Sequence, residues 1–298
     1  MKLLITGGTG FVGKGLVAKA LTLGHDIVVL TRHPHRYELS FGGVVRYLFW
    51  DGSLSSLQSS YFDGVEGIIN LMGEGIANRR WTEKQKKMIV ESRVFGTKYL
   101  VLRAKQYAKQ LKVFISASAV GYYDHLKEQV CDEDALASSS FLGDLCQRWE
   151  HESEQIKSND IREVRFRIGV VLGQGGALKK MALPFKLCLG GSIGSGHQWM
   201  NWIHCDDLVS MLLHSLSNQS VSGAYNAVSP ENATNVSFSK CLAKVLGRPC
   251  FFKVPRFMLK LLLGEMACVV LEGQRVSADK ILGTGFSFKY ALLKEALK

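Results

Sequence analysis

The chain has 298 residues with 47% hydrophobic and 21% charged side chains, enough for one full α/β domain plus a smaller lobe and too apolar for a disordered or fibrous chain. Its formal charge of +11 favours anionic ligands, although the basic residues are spread out and "EKQKKMIVESR" interleaves them with glutamate as a solvated helix face does, so a nucleic-acid partner is not expected. Seven cysteines, an odd number with no C-x-x-C pair, exclude a disulfide framework and a zinc ribbon and suit a reducing, cytoplasmic setting.

The chain opens with a buried strand, "KLLIT", followed by a glycine-rich loop and a helix, "KGLVAKALTLG", closed by Gly24. "MKLLITGG" is no signal peptide, because its apolar run ends at once in glycines. "DIVVLT", "VVRYLF", "GIINLMG", "KVFISAS" and "VRFRIGVVLG" read as further strands. One long helix is predicted across "TEKQKKMIVESRVFGTKYLVLRAKQYAKQ", and another across "SSSFLGDLCQRWEHE", with Leu142, Leu145, Trp149 and Ile156 on one face. This alternation predicts a doubly wound, Rossmann-type parallel sheet whose ligand crevice lies at the carboxyl ends of the strands. After Gly173 the rhythm gives way to glycines and aromatics. "IHCDDLVSMLLHSL" is then a helix capped by Asp206 or Asp207, and "GAYNAVS" is a strand. From Pro230 helical patterns dominate. "FMLKLLLGEMACVVLEGQ" carries Lys260 and Glu265, which suits a packed amphipathic helix better than a membrane span, so no membrane partner is expected. The division expected is a dinucleotide-binding domain of 1–172 and 202–229, with a discontinuous substrate lobe of 173–201 and 230–298.

"ITGGTGFVGKGLV" holds Gly7, Gly8, Gly10 and Gly13 between the first strand and the first helix. Gly7 permits a tight turn, Gly10 lets amides approach a pyrophosphate, and Gly13 lets the helix sit close to the sheet. The helix N-terminus offers unpaired N–H groups to the phosphates. The second strand ends in Thr31 and Arg32, where an NAD-binding chain would carry an acidic residue; a guanidinium there pairs with the 2′-phosphate of NADP(H) unless it is only a solvated loop arginine. In "GSGHQWMNWIHCDD", His197, Gln198 and Trp199 suit a substrate-facing position, and the spacing matches no metal-ligand pattern. Arg79, Arg80 and Arg93 contact cofactor or an anionic substrate, or are solvated helix charges.

The glycine loop, Arg32, "INLMGE", "SASAVGYY", "RFRIGVVLG" and "GSGHQWMNWIHCDD" come in the order of the extended short-chain dehydrogenases/reductases. With "GEGIANRRWTEKQKKMIVESRVFGT", "FLGDLCQRWE" and "LLLGEMACVVLEGQRV", the chain resembles the atypical subgroup of NAD(P)-dependent nucleoside-diphosphate-sugar epimerase-like proteins, which carry a C-terminal domain of unknown function. The resemblance implies that Gly7, Gly10, Phe11, Val12 and Gly13 line the pyrophosphate and that Thr31 and Arg32 hold the 2′-phosphate. It further implies that Asp51 sits near the adenine or caps a turn, that Leu71, Met72, Gly73 and Glu74 approach the ribose or nicotinamide, and that Ser116 and Ser118 enter the crevice. Ordinary members place a tyrosine four residues before a lysine on the next helix, with a glutamate often four residues later. Anchoring on Glu150 puts Cys146 at the lysine position and Leu142 at the tyrosine position, and a shift of one residue restores neither group. A leucine has no proton to give and a cysteine no ammonium charge. Ser118 remains to polarise a substrate oxygen. Tyr122 or Tyr123 is a displaced proton donor or ordinary packing beside the crevice; Cys146 is a nucleophile or a small core residue. The expected function is that of an NADP(H)-dependent oxidoreductase or epimerase-like enzyme on a small substrate. The alternative is a non-catalytic protein that senses NADPH.

Overall fold

The computed structural model describes residues 1–124 and 129–298. In chain order, β1 (Lys2–Thr6), α1 (Phe11–Thr22), β2 (Asp26–Thr31), β3 (Arg46–Phe49), β4 (Gly67–Asn70), α2 (Glu83–Val90), α3 (Gly96–Tyr107), β5 (Val113–Ala119), α4 (Phe141–Glu154) and β6 (Arg162–Ile168) build the body. Then follow β7 (Val170–Leu172), α5 (Gly176–Lys186), β8 (Gly191–Ile193), β9 (Trp199–Met200), β10 (Trp202–His204), α6 (Cys205–Ser217), β11 (Gly223–Ala227), β12 (Ala233–Thr234), α7 (Asn235–Leu246), β13 (Phe252–Val254) and α8 (Arg256–Leu263). Three short helical turns, α9 (Cys268–Leu271), α10 (Asp279–Leu282) and α11 (Leu293–Ala296), close the chain.

Seven parallel strands form the sheet in the order β11-β6-β5-β4-β1-β2-β3. The order reverses between β1 and β4, so the crevice of a doubly wound sheet opens there. The strands are apolar on both faces because both are covered. Leu3, Ile5, Val29, Ile69 and Ile115 pack with Leu16, Val17 and Leu212 on the α1 and α6 side, while Leu4, Val28, Ile68 and Phe114 pack with Leu100 and Ile156 on the other.

The predicted strand "VRFRIGVVLG" is two strands. Gly169 breaks it: a Cβ there would stand 2.7 Å from the Asn201 carbonyl. The chain leaves the sheet at that point, and β7 pairs with β10 instead. The single predicted helix after Thr82 is likewise interrupted. Thr82 caps α2 by accepting from the Gln85 amide, but Glu91–Phe95 form a π-helical turn before α3 resumes. Such turns let an inward residue change direction, and here that residue is Arg93.

The smaller lobe gathers Leu172, Phe185, Trp202, Phe238, Leu242 and Leu293 into its own core, and two short strand pairs, β8 with β13 and β9 with β12, tie its discontinuous pieces together. The C-terminal stretch packs against both parts of the chain. Val276, Ala278, Ile281 and Phe286 are buried in the core of the body, and the Asp207 carboxylate accepts the backbone amides of Lys289 and Tyr290 at 2.7 and 2.9 Å. The chain therefore crosses to the body after about residue 275 and returns to the lobe with Leu293 and Leu297. Neither Asp206 nor Asp207 caps α6; the His204 ring nitrogen accepts the Asp206 amide at 3.2 Å, which leaves Asp207 free to fasten the C-terminal segment. Of the segment "FMLKLLLGEMACVVLEGQ", read as a packed helix, the second half packs through Met266, Ala267 and Leu271, whereas α8 has no buried residue. Periodicity located its apolar residues but did not supply a surface for them. No helix among the described residues is long and apolar enough to cross a membrane.

Candidate active site

The β1–α1 turn is shaped by two close approaches. Gly7 has φ +69°, and a Cβ there would lie 2.5 Å from the Leu71 carbonyl oxygen. A Cβ on Gly13 would lie 2.2 Å from the Gly7 carbonyl oxygen, so only glycine lets α1 descend onto the loop. Intrahelical bonding begins with the Lys14 amide donating to Gly10 at 3.0 Å; the helix has no side-chain cap and no acidic residue in its first turn. The amides of Phe11, Val12 and Gly13 thus point out of the helix end as an anion cradle. The Phe11 ring does a second job. Cβ atoms on Gly173, Gly175 and Gly176 would each stand about 3 Å from it, which is why the first loop of the lobe is glycine-rich.

Arg32 lies exposed just beyond β2 and lines a cleft of about 390 Å³ with His33, Pro34, His35, Arg36 and Phe49. Thr31 Oγ1 accepts the His33 amide at 3.4 Å. Asp51 is turned inward on its own loop. Its carboxylate accepts the Ser56 hydroxyl at 2.6 Å and the Ser53 amide at 2.8 Å, bonds that hold its pKa down at about 2. Of the two roles left open for Asp51, the turn cap is the one these contacts build.

Past β4, the Leu71 amide donates to Thr6 at 3.2 Å and keeps the strand end in register. Met72 reaches Gly96, where a Cβ would be 2.1 Å from its methyl carbon. The Glu74 amide donates to Ser92 Oγ at 2.9 Å. Arg93, delivered by the π-helical turn, donates to the Glu74 carbonyl at 2.8 Å and lies 5.2 Å over the Trp149 ring. A Cβ on Gly73 would be 2.8 Å from its guanidinium carbon. Burial presses the Arg93 pKa below the usual guanidinium range, but the group remains a cation. Neither Arg79 nor Arg80 is enclosed in this way; both are exposed.

Beneath the crevice runs a buried polar chain. Thr6 Oγ1 donates to Asn70 Oδ1 at 2.7 Å, Asn70 Nδ2 donates to Thr97 Oγ1 at 2.8 Å and to Ser116 Oγ at 3.3 Å, and Trp149 Nε1 donates to Thr97 Oγ1 at 3.0 Å. These bonds lock the ends of β1, β4 and β5 against α3 and α4. Ser118 is buried and donates to Glu150 Oε1 at 2.6 Å. Glu150 is gripped from below by Arg167, whose Nε and Nη2 reach its two oxygens at 2.9 Å each. Arg167 also donates to the Tyr123 hydroxyl and the Glu133 carbonyl, both at 2.9 Å, and its guanidinium lies 3.5 Å from the centre of the Tyr122 ring. Tyr123 donates onward to Asn226 Oδ1 at 2.6 Å; burial drives its phenol well above the ordinary value. Tyr122 borders a cleft of about 410 Å³ that also exposes parts of Glu150 and Arg167.

Leu142, at the position expected for the tyrosine, packs on the backbone at Gly121, and Cys146, at that expected for the lysine, is buried beside Ser118. Burial pushes the Cys146 thiol up to about 12, so at neutral pH it is a core thiol and not a nucleophile.

The chain matches the model of the NAD-dependent epimerase/dehydratase family over residues 3–145 and that of a domain of unknown function over 254–298. It is 36% identical over 298 residues to the epimerase family protein YfhF of Bacillus subtilis, covering 100% of this chain and 97% of that one. It is 35% identical over 303 residues to the human epimerase family protein SDR39U1, covering 100% and 99%. The chain belongs to the epimerase family. Among solved structures, that of human SDR39U1 with NADPH is similar at a TM-score of 0.90 and 34% identity, with 100% of this chain and 98% of that one covered. UDP-glucuronic acid 4-epimerase of Bacillus cereus, solved with UDP-glucuronic acid and NAD, shares the fold at a TM-score of 0.80 and 18% identity, with coverage of 100% and 96%.

Within this epimerase-family fold, the residues expected to act together fall into two groups. Gly7, Gly10, Phe11, Val12, Gly13, Leu71, Gly73 and Glu74 surround the mouth between β1 and β4, and Ser116 and Ser118 follow on β5. Arg32 and Asp51 belong to the far end, beyond β2 and β3. Reading the sequence missed the Glu150–Arg167 pair, although a signal was present. "EVRFRI" puts Glu163, Arg165 and Arg167 on one face of a central strand, and buried charges there demand partners.

Proposed function

We propose that this epimerase-family chain is an NADP(H)-dependent oxidoreductase acting on a small, anionic substrate. The observation that supports the reading is the closeness of Gly13 to Gly7, which brings the amide-bearing end of α1 down onto the β1–α1 loop. Those amides would hold the pyrophosphate, and Arg32, with His33 and Arg36 beside it, would hold the 2′-phosphate. The NADPH in the human relative's structure supports the same choice. When bound, the coenzyme supplies or accepts a hydride. The chain's own residues would do the rest: Ser118, at the end of β5, would turn its proton from Glu150 to a substrate oxygen. Arg93 supplies fixed positive charge beside Gly73, a cation delivered from a different element than the missing lysine. The lobe formed by 173–201 and 230–275 would close the crevice from above, and the absence of any disulfide among the described cysteines supports a reducing compartment, the cytoplasm.

One observation favours the second reading, a non-catalytic NADPH sensor. Leu142 has no ionisable proton, the buried Cys146 thiol is too weak an acid to release its own at neutral pH, and the Ser118 proton is already committed to Glu150. Calorimetry with NADPH and NADH, followed by turnover assays on a panel of carbonyl and nucleotide-sugar compounds with the natural chain and Ser118→Ala, separates the two. Turnover that Ser118→Ala abolishes while NADPH affinity holds supports the enzyme. Tight NADPH binding with no turnover on any substrate supports the sensor, and no NADPH binding removes both.

A further inference from the structure

The lobe has a charge pattern of its own. Residues 173–201 and 232–264 contain nine lysines and arginines and no aspartate or glutamate, the lobe's acids Glu231, Glu265 and Glu272 lying just outside them. All nine are exposed. The same segments carry an unusual density of large apolar side chains in the open. Phe251 is 86% exposed, Leu261 75% and Phe257 70%, and Leu187, Leu262 and Phe252 each show more than half their surface.

The strand pairing brings the segments that carry them together. The pairing of β13 with β8 aligns Phe252 with Gly191, which sets the end of the Leu187–Leu189 run against Phe251 and Phe252. Arg248 reaches Cys188, tying the same two segments, and α8 follows β13 directly after Pro255. Within α8, Phe257, Leu261 and Leu262 alternate with Arg256 and Lys260 over two turns, and no side chain of the helix is buried. A surface that exposes this much apolar area marks an interaction site.

We infer that this face of the lobe, centred on α8 and β13, docks on an anionic lipid bilayer, with Phe257, Leu261 and Leu262 entering the headgroup region and the surrounding cations facing lipid phosphates. Three physical reasons select this occupant. Aromatic and aliphatic side chains in a basic rim match the chemistry of an interfacial helix. A second copy would set Arg248, Lys253, Arg256 and Lys260 against the same four across a two-fold axis, which like-charge repulsion opposes. A nucleic acid would satisfy the cations but leave the leucines without an apolar partner. The expectation of no membrane partner concerned a span, argued from Lys260 and Glu265 inside "FMLKLLLGEMACVVLEGQ"; the exposure of α8 bears on surface docking instead.

The inference is independent of any catalysis. Its test is co-sedimentation of the full chain with vesicles of phosphatidylcholine alone or of phosphatidylcholine mixed with phosphatidylglycerol. The chain should sediment with the anionic vesicles and not with the neutral ones, and high salt should release it. The pairs Phe257→Ser with Leu261→Ser, and Lys253→Glu with Arg256→Glu, should each weaken binding by roughly tenfold or more. NADPH affinity and melting temperature should be unchanged, and because the pairs act through different chemistry, misfolding of one leaves the other as the test. Failure to sediment with anionic vesicles overturns the inference. So does equal binding by the chain and both variants, a dimer that the Phe257/Leu261 pair dissolves, or RNA binding that only the charge-reversed pair loses.

Discussion

Replacing Arg167 with methionine tests the energetic role assigned to the Glu150–Arg167 pair. The methionine fills much of the same volume but withdraws two bonds from Glu150, one from Tyr123 and one from the Glu133 carbonyl, along with the stacking on Tyr122. Glu150 then keeps the Ser118 hydroxyl and only a long, 3.9 Å ion pair with Arg165, while remaining buried. Breaking a buried, bidentate pair from one side costs about 3–5 kcal/mol. At about 2–4 °C per kcal/mol for a chain of this size class, the melting temperature should fall by roughly 6–20 °C. Adding Glu150→Gln removes the stranded charge, so the double variant should lose clearly less than the sum of the two single losses. Thermal and denaturant unfolding at neutral pH measures all three. A loss below about 1 kcal/mol in Arg167→Met, or strict additivity in the double variant, would refute the claim that the pair holds Ser118 through a shared buried charge.

Arg32→Ala should weaken NADPH by roughly tenfold to a hundredfold, the worth of a charge-assisted contact, and leave NADH unaffected in calorimetry. Gly13→Ala should abolish measurable binding of either coenzyme, because its Cβ would force α1 away from a backbone oxygen only 2.2 Å off; unchanged affinity would show that the cradle is not where the phosphates sit. Burial raises the Glu163 pKa from 4.5 to about 7, so the folded chain holds a proton there that the unfolded chain has lost. Stability from this group is fully present below about pH 4.5 and falls as pH rises through 7, by on the order of 2–3 kcal/mol. Glu163→Gln should therefore flatten that part of the stability profile and gain most above pH 7; an unaltered slope in equilibrium unfolding would count against it.

The sheet was legible because its strands announce themselves. "KLLIT", "DIVVLT" and "GIIN" are short, largely apolar runs buried on both faces, and the glycine loop fixes which strand end faces the ligand. What escaped was set by contacts between distant segments. Gly169 looks like one more strand residue until the Asn201 carbonyl is placed against it. The π-helical turn at 91–95 has ordinary helical composition, so nothing local foretold that Arg93 would swing under the loop at Gly73 and Glu74. His204 took the cap position from two better-suited aspartates because Asp207 was required by amides some eighty residues later. The face of α8 escaped for the opposite reason. Its pattern is that of a packed helix, and no sequence period records whether anything lies opposite.

The route of the C-terminal segment has a practical consequence. The unit matched over 254–298 is a stretch of evolutionary record but not a detachable module, since it contributes to the lobe, then the body, then the lobe again. It stitches the two halves like a lace through eyelets. Cutting the chain near residue 275 would uncover the seats of Ile281 and Phe286 in one half and of Leu293 in the other. Any opening of the crevice must therefore happen by flexing along that stitch, and transplanting the segment into a cousin would require both halves to match it at once.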